Sequence, residues 1–183
     1  MPSSPHEDEP HDDELHDEIE RRVRADIAVH GWHVAKIEGD EHVPPWAFTI
    51  GFGDSFDHPE VLVAGMGLEQ LHALLNRIGD LLRAGNRFGA DERVHNILER
   101  FPCAFKAVHA RWHQPFAGNA AWHHREAGLS LIQCFWPDAE GRFPWEDGFP
   151  DDLKPLQPLL YEATAERALA QGVRATLESE GVL

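Results

Sequence analysis

The segment Trp46-Ala47-Phe48-Thr49-Ile50-Gly51-Phe52 is the strongest constraint on the fold. Large apolar side chains alternate with smaller residues, which is the period of a β-strand and not of a helix. A strand of this kind has one aromatic face that must be buried, so the chain needs a sheet with a core packed on it. Pro44-Pro45, just before it, cannot donate to a ladder and enforces an extended approach. The core also needs a helix. Leu68, Leu71, Leu75, Ile78 and Leu82, with Leu74 and Leu81 beside them, recur at helical spacing up to Gly85.

The other elements follow from the same periodicities. Leu15, Ile19, Val23 and Ile27 form one stripe of a helix that starts near Asp12 or Asp13 and stops at Gly31. Acid-before-base pairs (Asp17 with Arg21, Glu18 with Arg22, Glu20 with Arg24) support it. Strands are expected at 32–38, 61–64, 103–110 and 129–136, and a short helix at 93–100. Gly53 to Asp57 reads as a loop, Trp112 to Ala127 fits either element type, and 137–158 is proline-rich loop. No βαβ rhythm is visible, and no glycine-rich loop opens a helix directly after a strand. The expectation is a single α+β domain with a mainly antiparallel sheet and packed helices over residues 12–160. Residues 161–183 read as a C-terminal helical extension.

Charge narrows the partners. The 183 residues carry a net charge of −16, and more than half of it comes from nine acids within residues 1–20. Residues 1–11 therefore read as a disordered acidic tail, with His6, His11 and His16 interleaved as solvated side chains or weak metal contacts. An acidic chain repels phosphate backbones and anionic lipid, so neither nucleic acid nor a membrane is the expected partner. No apolar run approaches the ~20 residues of a membrane helix, and no secretory leader is expected in Met1 to Pro10. Cys103 and Cys134 cannot make a disulfide framework, which suits a reducing cytoplasm.

The common catalytic motifs are missing: no phosphate-cradling glycine loop, no H-E-x-x-H, no G-x-S-x-G. Ser55 lies near His58, Asp54 and Asp57 in sequence, but a triad is assembled in space and not by such proximity. His58-Pro59-Glu60 is the most pointed candidate. In an extended segment the two ionisable residues project to one side and can converge on a ligand. Alternatively, His58 caps a turn and Glu60 pairs with an arginine. His109, His113, His123 and His124 cluster in sequence near Cys103, yet their spacing fits no common zinc template, so no metal set is assigned and no cofactor is implied. Trp136-Pro137-Asp138 and Pro144-Trp145-Glu146 flank one turn. Rings beside acids on a stiff loop either grip a cationic or planar ligand or staple the loop to the domain. The candidate ligand-binding set is Thr49, His58, Glu60, Gln133, Trp136, Asp138, Trp145 and Glu146, with His58, Glu60 and the loop 136–146 expected to line one concavity.

Taken in order, Gly31-Trp32, Ala47-Phe48-Thr49-Ile50-Gly51-Phe52, His58-Pro59-Glu60, the leucine helix to Gly85, Gln133-Cys134-Phe135-Trp136-Pro137-Asp138, Gly141, Pro144-Trp145-Glu146 and Gln157-Pro158 resemble domain-of-unknown-function family 4262, a bacterial family. The resemblance spans residues 27–160 and implies no reaction. It implies that the acidic tail and the last helix lie outside the shared domain. The H-P-E strand opening also resembles Suppressor-of-Fused-like domains, which act through protein partners. The functional expectation is a non-catalytic binding or protein-interaction module, in a regulatory, defence or immunity setting, taking a basic protein partner or a small ligand. The alternatives are a small hydrolase using His58 and Glu60, with or without a divalent metal, and a structural zinc protein using the central histidines.

Overall fold

The structure, a computed structural model, describes residues 11–183. The segment read as a disordered tail lies outside the described residues except for His11, which opens the first helix. The chain runs α1 (His11–His30), β1 (His33–Ile37), β2 (Trp46–Ile50), α2 (Phe52–Phe56), β3 (Glu60–Ala64) and α3 (Leu68–Arg83). It continues through β4 (Arg93–Val94), β5 (Cys103–Ala107), α4 (His113–His123), β6 (Leu131–Phe135), α5 (Ala165–Ala168) and α6 (Gln171–Ser179). The six strands form one sheet in the order β1-β2-β3-β6-β5-β4.

The architecture is α+β, and the sheet is mixed, which corrects the antiparallel reading at one joint. Neighbours pair antiparallel except at the centre, where β3 and β6 run parallel with Glu60 opposite Leu131 and Leu62 opposite Gln133. A parallel pair needs a long crossover, here everything from α3 to α4. No local pattern reveals such a pairing, because each strand alone has the same alternation.

Alternation does place the two cores. Phe48, Ile50 and Leu62 face one side, where Val23 of α1, Trp112, Phe116 and Ala120 at α4, and Leu169, Val173 and Leu177 near the C-terminus cover them. Ala47, Val61, Val63, Phe105, Ile132 and Cys134 face the other side, against Leu71, Leu75, Ile78 and Leu82 of α3. The α1 stripe reaches the core only at its second half: Val23 is buried, whereas Leu15 is 57% exposed. Three local expectations change. Phe52 leaves the strand and packs with the α3 side, because Gly51 turns the chain at φ 114° into α2 where a loop was expected. Residues 93–100 make strand β4 and bends instead of a helix. The ambiguous 112–127 stretch is mostly α4.

Candidate functional site

The H-P-E segment enters the sheet at the start of β3, and both of its ionisable side chains are buried. Glu60 is 1% exposed and fully engaged. One oxygen accepts the Thr49 hydroxyl at 2.6 Å. The other accepts the Gly51 N–H at 2.8 Å, the Gly53 N–H at 3.2 Å and His124 Nε2 at 2.8 Å. Thr49 in turn accepts the Val61 N–H at 3.0 Å, replacing a main-chain ladder bond where β2 and β3 diverge. Two glycines make this possible. A Cβ on Gly51 would lie 2.8 Å from Ile27 Cγ1, and one on Gly53 would lie 3.0 Å from the His124 ring. Both backbone amides therefore come close to the carboxylate only because neither residue has a side chain.

His58 is locked. Nδ1 donates to the Pro59 carbonyl at 2.7 Å, which leaves Nε2 to accept the Phe88 N–H at 3.2 Å. Burial pulls its pKa below the usual histidine range, and a neutral ring is what these two bonds require. His124 is shifted the opposite way, because its bond to Glu60 favours the charged ring. Glu60 thus pairs with a histidine and not with an arginine. Beside it, His123 Nε2 meets Asp54 of α2 at 2.6 Å.

These groups border an open cleft of about 330 Å3 between α2, the end of α4 and the turn before β6, lined by Asp54, Asp57, His58, Glu60, His124 and Ser130 among others. A larger hollow of about 610 Å3 lies between α1, β1 and α3. Several of its polar groups are paired to one another: His33 with Asp26, Trp32 with Asn76 and Arg83 with Asp80.

The structure brings Thr49, His58 and Glu60 together but does not join them to the other candidates, and this corrects the single concavity expected. Because β3 and β6 are parallel, Glu60 lies at their starting ends. Trp136 follows the far end of β6, where its indole donates to the Ala64 carbonyl at 2.8 Å. Five residues of extended chain, roughly 16 Å at ~3.3 Å per residue, separate the register of Glu60 from Trp136. At the far end the polar groups staple the loop. Gln133 bonds Pro158 and Leu160, and Gln157 brackets the Trp136 backbone. Asp138 accepts the Glu140 and Arg142 N–H groups and the Arg142 guanidinium. Burial pushes the Asp138 carboxyl up, but these bonds outweigh it and hold it below the usual range. Glu146 is held low by the Phe143 N–H and by Arg93, and Trp145 stacks on Phe143 at 5.2 Å.

The family model for a domain of unknown function (DUF4262) matches residues 26–150. The chain belongs to that family. The DUF4262 match takes in α2, the H-P-E segment, α4 and the 136–146 loop, so the cleft and the stapled loop are both features of the matched region. Leu160, Val173 and Leu177 lie beyond it and still close the sheet face carrying Phe48. Comparison with curated proteins and with solved structures finds no match. No helix among the described residues is long and apolar enough to cross a membrane.

Sequence reading missed the connection between the cleft residues. Asp54 and His123 are 69 residues apart, and Glu60 and His124 are 64 apart. Each appeared among the acids and histidines, but only the β3–β6 pairing brings them together.

Proposed function

We propose that this DUF4262 domain is a non-catalytic binding module whose cleft beside α2 receives a small cationic group, free or carried on a basic protein partner. One observation carries the reading: Asp54, Asp57 and Glu60 line the cleft, with no lysine or arginine among the lining residues. The net charge of −16 draws cations toward the surface from a distance. The chemistry argues for binding and against the hydrolase reading of His58 and Glu60. Both nitrogens of His58 are engaged and Glu60 accepts four hydrogen bonds, so neither is free to take a proton from a substrate. Cys134 is no nucleophile either: the neighbouring Cys103 thiol and burial push its thiol well above its ordinary value. Two free, buried thiols suit action in a reducing cytoplasm.

Titration of the labelled protein with agmatine, which carries an ammonium and a guanidinium group, tests the proposal by amide chemical shifts. The expected shifts centre on Gly53, Asp57, Gly128 and Ser130 and weaken in Asp57→Ala. Shifts confined to the hollow around Trp32, His33 and Asn76, or no shifts at all, overturn it.

A further inference from the structure

Asp54, on the exposed side of α2, and His123 and His124, at the end of α4, each place one ligand atom within 4.8 Å of the others. The two imidazole rings sit edge to face with centroids 4.8 Å apart. We propose that these three residues bind one divalent transition-metal ion of the zinc class at the rim of the cleft. The proposal deepens the cationic-cleft reading and rests on it.

Four features support it. The donors are two imidazoles and one carboxylate, a set that zinc and its neighbours favour over calcium or magnesium. The geometry needs little movement. With bonds of ~2.0–2.2 Å, ligand atoms around a tetrahedral ion lie ~3.3 Å apart, so the 2.6 Å His123–Asp54 contact opens by under ~1 Å and the wider pairs close. Glu60 supplies the outer support such a site requires. It holds His124 Nε2 at 2.8 Å while being fixed by Thr49, Gly51 and Gly53, which sets the ring orientation and leaves Nδ1 to bind the ion with release of any proton it carries. Access is open: Asp54 is exposed, the two histidines are partly exposed, and Asp54 and His124 line the cleft. Three protein ligands leave a coordination position free for water or for a donor atom of an incoming molecule.

The test is calorimetric titration of untagged full-length protein, stripped with chelator, with zinc chloride, alongside cobalt chloride followed by its visible absorption. One equivalent is expected, with cobalt bands of tetrahedral intensity. Asp54→Ala and His123→Gln should each weaken binding at least tenfold and leave the circular dichroism unchanged, because neither side chain belongs to the Glu60 hub. The N-terminal histidines are unchanged in both variants, so weak binding there is read separately. No binding of zinc or cobalt to the wild type, or full binding in the Asp54→Ala/His123→Gln double variant, overturns the site. Agmatine shifts at Gly53 and Gly128 without zinc uptake remove the metal and retain the cleft. Zinc uptake at the three residues without agmatine shifts retains the metal and removes the amine-type ligand.

Discussion

Replacing Thr49 with valine removes one hydroxyl from the centre of the molecule at nearly constant volume, and its cost can be worked from the bonds that hydroxyl makes. It donates to the Glu60 carboxylate at 2.6 Å, a bond to a charged group worth about 1.5–3 kcal/mol. It accepts the Val61 N–H, which would be left unpaired where Thr49 and Val61 are both 0% exposed, a cost of about 1–3 kcal/mol. The added methyl returns less than about 1 kcal/mol. The net expectation is a loss of about 3 kcal/mol, a large part of the ~5–15 kcal/mol that holds a domain folded. Urea unfolding followed by tryptophan fluorescence should show a midpoint lower by about 1–2 M with an unchanged slope. Thr49→Ser keeps the hydroxyl and should lose only about 1 kcal/mol, the worth of a buried methyl. If the valine and serine variants unfold at the same urea concentration, the Thr49–Glu60 bond does not hold the hub together and the reasoning fails.

Three further outcomes are expected. Ile50→Asp buries a carboxylate with no partner on the α4 side of the sheet and should abolish cooperative folding; a soluble variant with a normal thermal transition contradicts that placement. Gly79→Ala puts a Cβ 2.4 Å from the Trp32 ring, which its bond to Asn76 holds in place; the overpacking of about 1–3 kcal/mol exceeds the helix-propensity gain, so the melting temperature should fall by a few degrees and not rise. His58 has a folded pKa below its unfolded one, so its contribution is complete above about pH 6.5 and is lost as the pH falls below that value. Stability measured from pH 7.5 to 5 should therefore fall less in His58→Gln than in the wild type, and equal slopes would show that the ring does not titrate against the fold.

Most of the elements are legible because they obey one local period. The α3 leucines and the 46–52 alternation specify a helix and a strand wherever they sit, and both appear with nearly the expected bounds. Deviations occur where a local pattern meets a tertiary demand. Residues 93–100 have helical composition, but Arg93 and Val94 gain ladder bonds from Ala104 and Cys103 at the sheet edge. Gly51 reads as one of the small residues alternating along a strand that continues to Phe52, yet its positive φ ends β2 and aims its N–H at Glu60. Within the candidate site, His58 and Glu60 were visible as ionisable residues two apart. Their buried, saturated state was not, because it depends on Phe88 and His124, which arrive from distant segments. Asp138 and Gln133 looked like ligand contacts for a related reason. Polar residues in aromatic surroundings have the same sequence signature whether they face a ligand or, as here, the protein's own backbone.

The parallel β3–β6 joint has a kinetic consequence. It divides the sheet into a β1-β2-β3 half, built from neighbouring stretches of chain, and a β4-β5-β6 half closed by later residues. Joining the halves brings together positions about seventy residues apart, with a loop-closure cost of about 4 kcal/mol plus a constant that only the completed seam offsets. The seam is therefore expected to form late in folding. Glu60 begins one seam strand, and its N–H donates to Ser130 just before the other, so the cleft does not exist in either half alone. The cleft therefore forms in the same event that completes the sheet, and a slow refolding phase should coincide with its return.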